Sequence, residues 1–368
     1  MEQNRATEEK PLVSVVILAY NGERVIKSCL DSVLNQTYGN VEIVVVDNAS
    51  TDRMTEIIEK FKRDLVPLKG TKSLGIIRNP ENIGLAGYND GIDVARGDFV
   101  LCVNQDVALN ENFIAMALKY FMMDEKIGAV QGKILKKEIG IGNLESGRDV
   151  IDSTGLVAFK SRRFSDRGQG EEDKGQYDRV EEVFGVNGAV AFFRRKCLED
   201  VDICRGTTSA IGRSRSSACG EWYDPDFFMY KEDIDLSWRI RLYGWKIVYC
   251  PEAVAYAERT SSPMSDKSGA VREVIKTRRR QTQFVKNLSF KNHRLAIVKN
   301  DLSWLFLKHL PWILPREIAA WSYALVFEPE TWPAIGELFR QLPQARKKRK
   351  IIMKNKKVGA RGMGKWFK

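Results

Sequence analysis

Several short stretches of this sequence bring together side chains that can do chemistry. In KEDIDLSWR, Lys231 to Arg239, the adjacent acids Glu232 and Asp233 stand where a helical pattern starts, and a carboxylate so placed can take a proton from a hydroxyl. Asp106 follows the apolar run DFVLCVN with Asn104 and Gln105 before it, and carboxylate oxygen suits a hard divalent cation. Asp47 and Asn48 end the run VEIVVVD, and Tyr20 and Asn21 end VSVVILAY. Acceptor oxygens beside a flat ring are what a heteroaromatic base needs.

The elements that must position these groups are legible in the pattern of apolar residues. Val13 to Tyr20 and Val41 to Asp47 are β-branched runs of the kind buried on both faces of a parallel sheet. Between them, Val25, Ile26, Cys29, Leu30, Val33 and Leu34 recur at helical spacing over Glu23 to Gln36. Strand, helix and strand with short connections make a βαβ unit. The spacing predicts a helix over Thr51 to Phe61, a strand over Leu74 to Arg78, a helix over Leu85 to Ala95 and a strand over Asp98 to Asn104. The expected class is therefore α/β, with a mostly parallel central sheet flanked by helices. Ligands bind such sheets beyond the carboxyl ends of the strands, where Tyr20, Asp47 and Asp106 converge. Helical spacing over Tyr230 to Tyr243 puts Glu232 and Asp233 at the mouth of a helix. Lys136 to Val183 reads as loops and short strands, Ile203 to Gly220 as a mobile loop, and helical periodicity resumes from Val271.

Composition narrows the class further. The 368 residues are 43% hydrophobic, enough for a full core, and carry a formal charge of +11. Gln341 to Lys368 holds eleven Lys or Arg and no acid, so residues 1–340 are neutral. A block of this kind predicts a solvated tail with an anionic partner, here an anionic membrane surface. A neutral body without a recognition motif argues against nucleic acid. Six cysteines without a CxxC pair signal neither a zinc site nor a disulfide framework, and the charged start MEQNRATEEK lacks a signal-peptide pattern. Leu302 to Phe327, rich in Trp but broken by Lys308, Pro311, Pro315, Arg316 and Glu317, is too interrupted to span a bilayer and resembles an interfacial anchor. A helical appendage packed on the rest of the chain is the alternative.

VSVVILAYNG, QTYGNVEIVVVDNASTD, NPENIGLAGYNDGIDVARGDFVLCVNQD and FFMYKEDIDLSWRIRLYGWK, in this order, resemble glycosyltransferase family 2 in its rhamnosyltransferase-like branch, over about residues 11 to 260. The resemblance implies a nucleotide-binding fold of the GT-A type and an inverting transfer from a dTDP- or UDP-linked sugar, with rhamnose or a related hexose expected. A hydroxyl of a lipid-linked saccharide or glycan would be the acceptor. It implies that Asp47 and Asn48 hold the base, beside Tyr20 and Asn21, unless they only form an Asx turn. It also implies that Asn104 and a metal-binding Asp106 face the diphosphate with a weakly held Mg²⁺ or Mn²⁺, unless Asp106 is merely a helix cap. Asn82 and Asn89 become donors to the diphosphate, although Gly84 and Gly87 beside them could simply relieve helix packing. Asp233 becomes the general base and Glu232 its orienting partner, with Trp238 and Arg239 expected to face the same cleft. The alternative is a solvated helix face carrying an Asp235–Arg239 pair. Asn187 and Gly188 are expected to line the acceptor site, unless VFGVNGAVAFFRR is a purely structural strand. One departure stands out: Ala257 occupies the place of a metal-binding His, which leaves Glu258 or water to substitute.

The expected organisation is a polar extension over residues 1–10 and a catalytic domain over 11–265, divided at 106/107. A helical, membrane-seeking appendage over 266–340 and a basic tail over 341–368 follow. The place of work expected from this is the cytoplasmic face of the cell membrane, peripherally bound. A sugar-nucleotide or carbohydrate-binding module with weakened catalysis is the rival reading.

Overall fold

The computed structural model describes residues 10–65, 73–136, 149–204, 220–258 and 278–368. The loop expected at Ile203 to Gly220 and the helical start at Val271 lie largely outside them. The first half alternates strand and helix as its apolar runs require: β1 (Val13–Ala19), α1 (Ile26–Leu34), β2 (Val41–Asp47), α2 (Met54–Leu65), β3 (Ser73–Arg78), α3 (Gly87–Val94) and β4 (Phe99–Asn104). β3, β2, β1 and β4 pair in parallel in that order. Every residue of β1 and β2 is buried. Alternate residues feed opposite core layers: Val13, Val15 and Ile17 meet α1 on one face, while Val16 and Leu18 meet Tyr88 and Ile92 of α3 on the other.

The second half extends the same sheet. β5 (Val107–Leu109), α4 (Phe113–Met123) and β6 (Ile127–Lys136) are followed by the short strands β7 (Ile151–Ser153), β8 (Leu156–Ala158), β9 (Phe164–Asp166) and β10 (Glu181–Glu182). Then come β11 (Val190–Arg194), α5 (Arg195–Val201), α6 (Glu232–Leu242) and β12 (Lys246–Ala257). β11 runs antiparallel between β4 and β6, and β12 pairs in parallel with β6. The sheet order is β10-β12-β6-β11-β4-β1-β2-β3, with β5 on β12 and β7 on β6, while β8 and β9 form a separate pair. This is the mostly parallel α/β architecture expected from the sequence. Cys29, Cys102, Cys197 and Cys250 are buried thiols.

The C-terminal helices are α7 (Gln283–Asn300), α8 (Ser303–Lys308), α9 (Leu310–Phe327), α10 (Trp332–Asn355) and α11 (Ala360–Gly364). Here the expectation of a solvated basic tail from residue 341 is corrected. α10 runs through that boundary without a break, and the residues after it return to α6 and β8. Lys357 and Val358 donate backbone bonds to Leu242 O, and Lys368 exchanges backbone bonds with Ala158 and Lys160. Phe367 is buried with its ring 5.5 Å from Trp238 and 4.2 Å from the Arg162 guanidinium. Like charges are tolerated in this segment because acids elsewhere face them: Lys357 pairs with Asp200, and Lys348 with Glu221, Asp224 and Asp226.

Two expectations follow. Phe367→Ala empties a fully enclosed aromatic site and should cost about 3–5 kcal/mol in urea unfolding. His309, whose Nδ1 lies 2.9 Å from Arg162 Nη1, is pushed down to about 4 by burial and by the charges of Arg162, Lys160 and Lys308. A histidine kept neutral in the folded chain binds fewer protons than in the unfolded one, so its contribution is present above about pH 6.5. A thermal melt series should show that contribution lost as pH falls from there towards 4.

Candidate active site

At the carboxyl edge of the sheet the end of β1 is fixed by a side chain from the end of β4. Gln105 Nε2 donates to Tyr20 O at 2.9 Å and Gln105 Oε1 accepts from Tyr20 N at 2.9 Å. The Tyr20 ring stays 43% exposed, a free flat face at the strand end. Asn21, in the left-handed region at φ 48°, donates its N–H to Ser50 Oγ and accepts Thr51 N at 2.8 Å. The turns after β1 and β2 are thereby tied together. Asp47 accepts Ser50 N at Oδ1 and Thr55 Oγ1 at Oδ2, so both carboxylate oxygens help to shape the turn into α2.

Asp106 and Glu258 line one small cavity together with Ser28, Cys29 and Tyr256, and Glu258 N donates to Asp106 O at 3.0 Å. Ala257 is buried in the apolar core, paired in register with Val107. Among the described residues no group of three His, Cys, Asp or Glu side chains gathers into a metal site. Two carboxylates fit an ion whose remaining ligands are phosphate oxygens and water, and do not fit a closed protein cage. Deeper in, Tyr88 OH donates to Asn104 Oδ1 at 2.8 Å. Burial pushes the Tyr88 phenol well up, and the charges of Cys102, Cys29, Asp106 and Glu232 add to this.

α6 opens with Glu232, Asp233 and Asp235 in its first turn, where the helix dipole favours negative charge. Its approach is unusual: Phe228, Tyr230 and Lys231 all take the left-handed conformation, at φ 59°, 68° and 75°. For side-chain-bearing residues this costs on the order of 1 kcal/mol or more each, and neighbours hold the segment in place. Asn292 Nδ2 of α7 lies 2.8, 2.8 and 2.9 Å from the carbonyls of Phe227, Met229 and Tyr230. Lys291 Nζ donates to Asp226 O at 2.9 Å. Leu85 N donates to Phe228 O at 2.7 Å, an approach that Gly84, at φ 65° and without a Cβ, makes possible. Gly188 N donates to Asp233 Oδ2 at 3.4 Å, and the next residue, Ala189, accepts Asn104 N at 2.9 Å. Gly188 thus joins the end of β4 to the mouth of α6.

Several residues expected to touch ligand are instead braces. Asn48 is buried, with Nδ2 donating to Asn82 Oδ1 and Gly84 O and Oδ1 accepting Asn79 Nδ2 at 3.0 Å. Its carbonyl is committed to shaping the 79–84 loop. Asn82 Oδ1 also accepts Gly84 N, and Asn89 clamps Trp222 and Tyr223 through their backbone. Gly87 and Gly91 let α3 approach Leu18 and Val16, which is the packing role for these glycines. Asn187 is buried against Gln131 and Asp166, and its Oδ1 accepts Ala189 N at 2.9 Å. Trp238 lies in the core against Phe164, Phe184 and Phe367. Arg239 is fully buried, bonded to the carbonyls of Val201 and Trp222 and 3.3 Å from Asp235. The cause is common to both: α6 is enclosed nearly all round, so its later turns face the core and not a cleft. The Asp235–Arg239 pair exists, but inside the protein. Tyr88 and Asn292 are not signalled in the sequence, because a lone Tyr or Asn carries no spacing pattern, and the part of Gln105 in fixing the end of β1 depends on a partner 85 residues away.

The family model described as glycosyl transferase family 2 matches residues 14–201. The chain belongs to glycosyltransferase family 2. A poly-β-1,6-N-acetyl-D-glucosamine synthase of Staphylococcus epidermidis is 24% identical over 247 residues, 66% of this chain and 49% of that protein. The family 2 chain thus spans about half the length of the curated relatives it matches. Among solved structures, GalNAc-T7 with UDP, GalNAc and Mn²⁺ superimposes with a TM-score of 0.57 at 14% identity, over 93% of this chain and 55% of that one. Staphylococcus aureus TarS 1–349 with UDP-GlcNAc gives 0.53 at 17% identity, over 94% and 89%. At such identities the likeness is one of fold, and it is the GT-A fold. In this family 2 chain, Asn292→Ala should free the 227–230 carbonyls. Hydrogen exchange should then show amides of 227–234 opening ahead of the rest of the chain, whereas unchanged protection would remove Asn292 from the clamp.

Proposed function

We propose that the protein is an inverting glycosyltransferase that moves a sugar from a nucleoside diphosphate to an acceptor hydroxyl. The observation that supports this best is the run of direct contacts from Asn104 through Ala189 and Gly188 to Asp233. It links the end of β4, two residues before Asp106, to Asp233 at a helix mouth. Such a pair suits a leaving group that gains negative charge on one side and a nucleophile that loses a proton on the other.

In this reading Asp233 takes the proton of the acceptor hydroxyl as its oxygen bonds to the anomeric carbon. The bond from that carbon to the diphosphate oxygen breaks on the opposite face, and the nucleoside diphosphate departs with the electron pair, inverting the centre. Glu232, buried beside Gly188, orients the acceptor. Tyr20 offers its exposed ring to the base, and the Asn21–Ser50–Thr51 turn borders it. Asp106, with Glu258, would hold a divalent cation that neutralises diphosphate charge. The donor is dTDP- or UDP-linked, its sugar rhamnose or a related hexose. The acceptor is a lipid-linked saccharide or growing polysaccharide, met at the cytoplasmic face of the cell membrane. The relatives named above, a polysaccharide synthase and a protein crystallised with UDP-GlcNAc, agree with this class of chemistry.

Asp233→Asn should lower turnover by about two to four orders of magnitude while leaving donor affinity nearly intact, because the base acts on the acceptor proton. Retention of most activity would move the role to Glu232. Asp106→Ala should weaken donor binding and abolish the response to Mn²⁺, read by thermal shift with nucleotide sugars. Full activity of the unaltered protein in excess chelator would exclude a metal from the reaction.

A further inference from the structure

α9 is an amphipathic helix turned inside out. Its two charged residues face inward: Arg316 Nη1 lies 2.8 Å from His293 Nε2, and Glu317 pairs with Arg294 at 2.8 Å. Ile313 and Ala324 are buried on that same side. The outward side carries Trp312, Leu314, Ile318, Leu325, Val326 and Phe327, the last two 68% and 69% exposed. Ser322 is the one polar residue among its exposed positions. Just before α9, Trp304 and Leu307 of α8 are also exposed. A water-facing helix normally shows the reverse pattern, and a contiguous apolar face of this size marks an interaction surface.

Charge indicates what the surface meets. One short turn after α9, α10 exposes Trp332, Phe339, Arg340, Arg346, Lys347, Lys350 and Lys354, spaced so that they lie along one stripe. That stripe changes from aromatic to basic, and no acid occurs after residue 337. Apolar and Trp side chains beside cations match the acyl boundary and headgroups of an anionic bilayer. No helix among the described residues is long and apolar enough to cross a membrane, so α9 would lie in the interface plane.

We propose that the outward face of α9, flanked by the basic stripe of α10, docks this protein on an anionic lipid surface. The proposal builds on the reading of a lipid-linked acceptor, and it assigns the contact to the outward face of a folded helix and a basic stripe beyond it, where the sequence offered an apolar anchor and a solvated tail. The full chain should co-sediment with phosphatidylcholine vesicles containing phosphatidylglycerol and much less with phosphatidylcholine alone. Binding should weaken as salt rises above about 0.1 M. Ile318→Glu with Leu325→Glu should lower the partition coefficient at least about tenfold, and Lys347→Glu with Lys350→Glu should remove the preference for anionic lipid. All versions should keep their thermal stabilisation by nucleotide sugar, which reports the catalytic reading separately from the lipid one. Equal binding by the Ile318/Leu325 variant, or indifference to lipid charge, would overturn the proposal. So would a dimer in solution that this variant dissolves, with no vesicle binding by either form.

Discussion

Asp224 is a buried carboxylate between two buried ammonium groups, Lys299 Nζ and Lys348 Nζ, each at 2.5 Å. Burial alone would raise its pKa, but the two lysines overcome this and hold the carboxyl well below the usual carboxylate range. Lys348 is held up in turn by Asp224, Glu221 and Asp226 against the opposing effect of burial. Lys299 also reaches Asp235, within α6, at 2.8 Å. Such a cluster gives little net stability over an apolar replacement, yet removing one member strands charge and costs about 3–5 kcal/mol. Its effect is therefore to specify where three segments sit relative to one another.

Those segments are α7, α10 and the approach to α6. The left-handed residues at 228, 230 and 231 set the direction from which the chain enters the helix, and so aim Glu232 and Asp233 at Gly188 and the end of β4. Backbone of this kind persists only where its surroundings over-determine it. The buried ions, the Asn292 amide and Gly84 do so from three sides. The C-terminal helices are consequently part of the framework that positions the candidate site.

The alternating strands and helices of the first half are plain in the sequence because buried parallel strands and amphipathic helices have periods that can be read directly. Val13, Val15 and Ile17 against Val16 and Leu18 is such a period. The position of Tyr20 and Asp106 just past strand ends follows from the alternation of elements alone. What stayed hidden depends on partners distant in the chain. Lys348 and Arg349 sit in a run that looks solvated until Asp224 and the carbonyls of Val298 and Asp301 are brought to them. Trp238 and Arg239 share helical spacing with Glu232 and Asp233, but spacing does not show that α6 is enclosed nearly all round. Asn48 looked like a ligand for a base because its neighbour and its strand end fit that role. Its four hydrogen bonds turn out to be made at home.

Charge pairing between α10 and the approach to α6 holds Glu232 and Asp233, the proposed catalytic acids, in place. A double-mutant cycle over Asp224→Asn and Lys348→Met, read as acceptor turnover at saturating donor, tests it most directly. Each single change should lower turnover strongly, and the double variant, with both charges removed together, should recover part of the loss. The expected coupling is at least about 1 kcal/mol in activation free energy. Additive losses, or single variants that lose stability but turn over normally once folded, would contradict it.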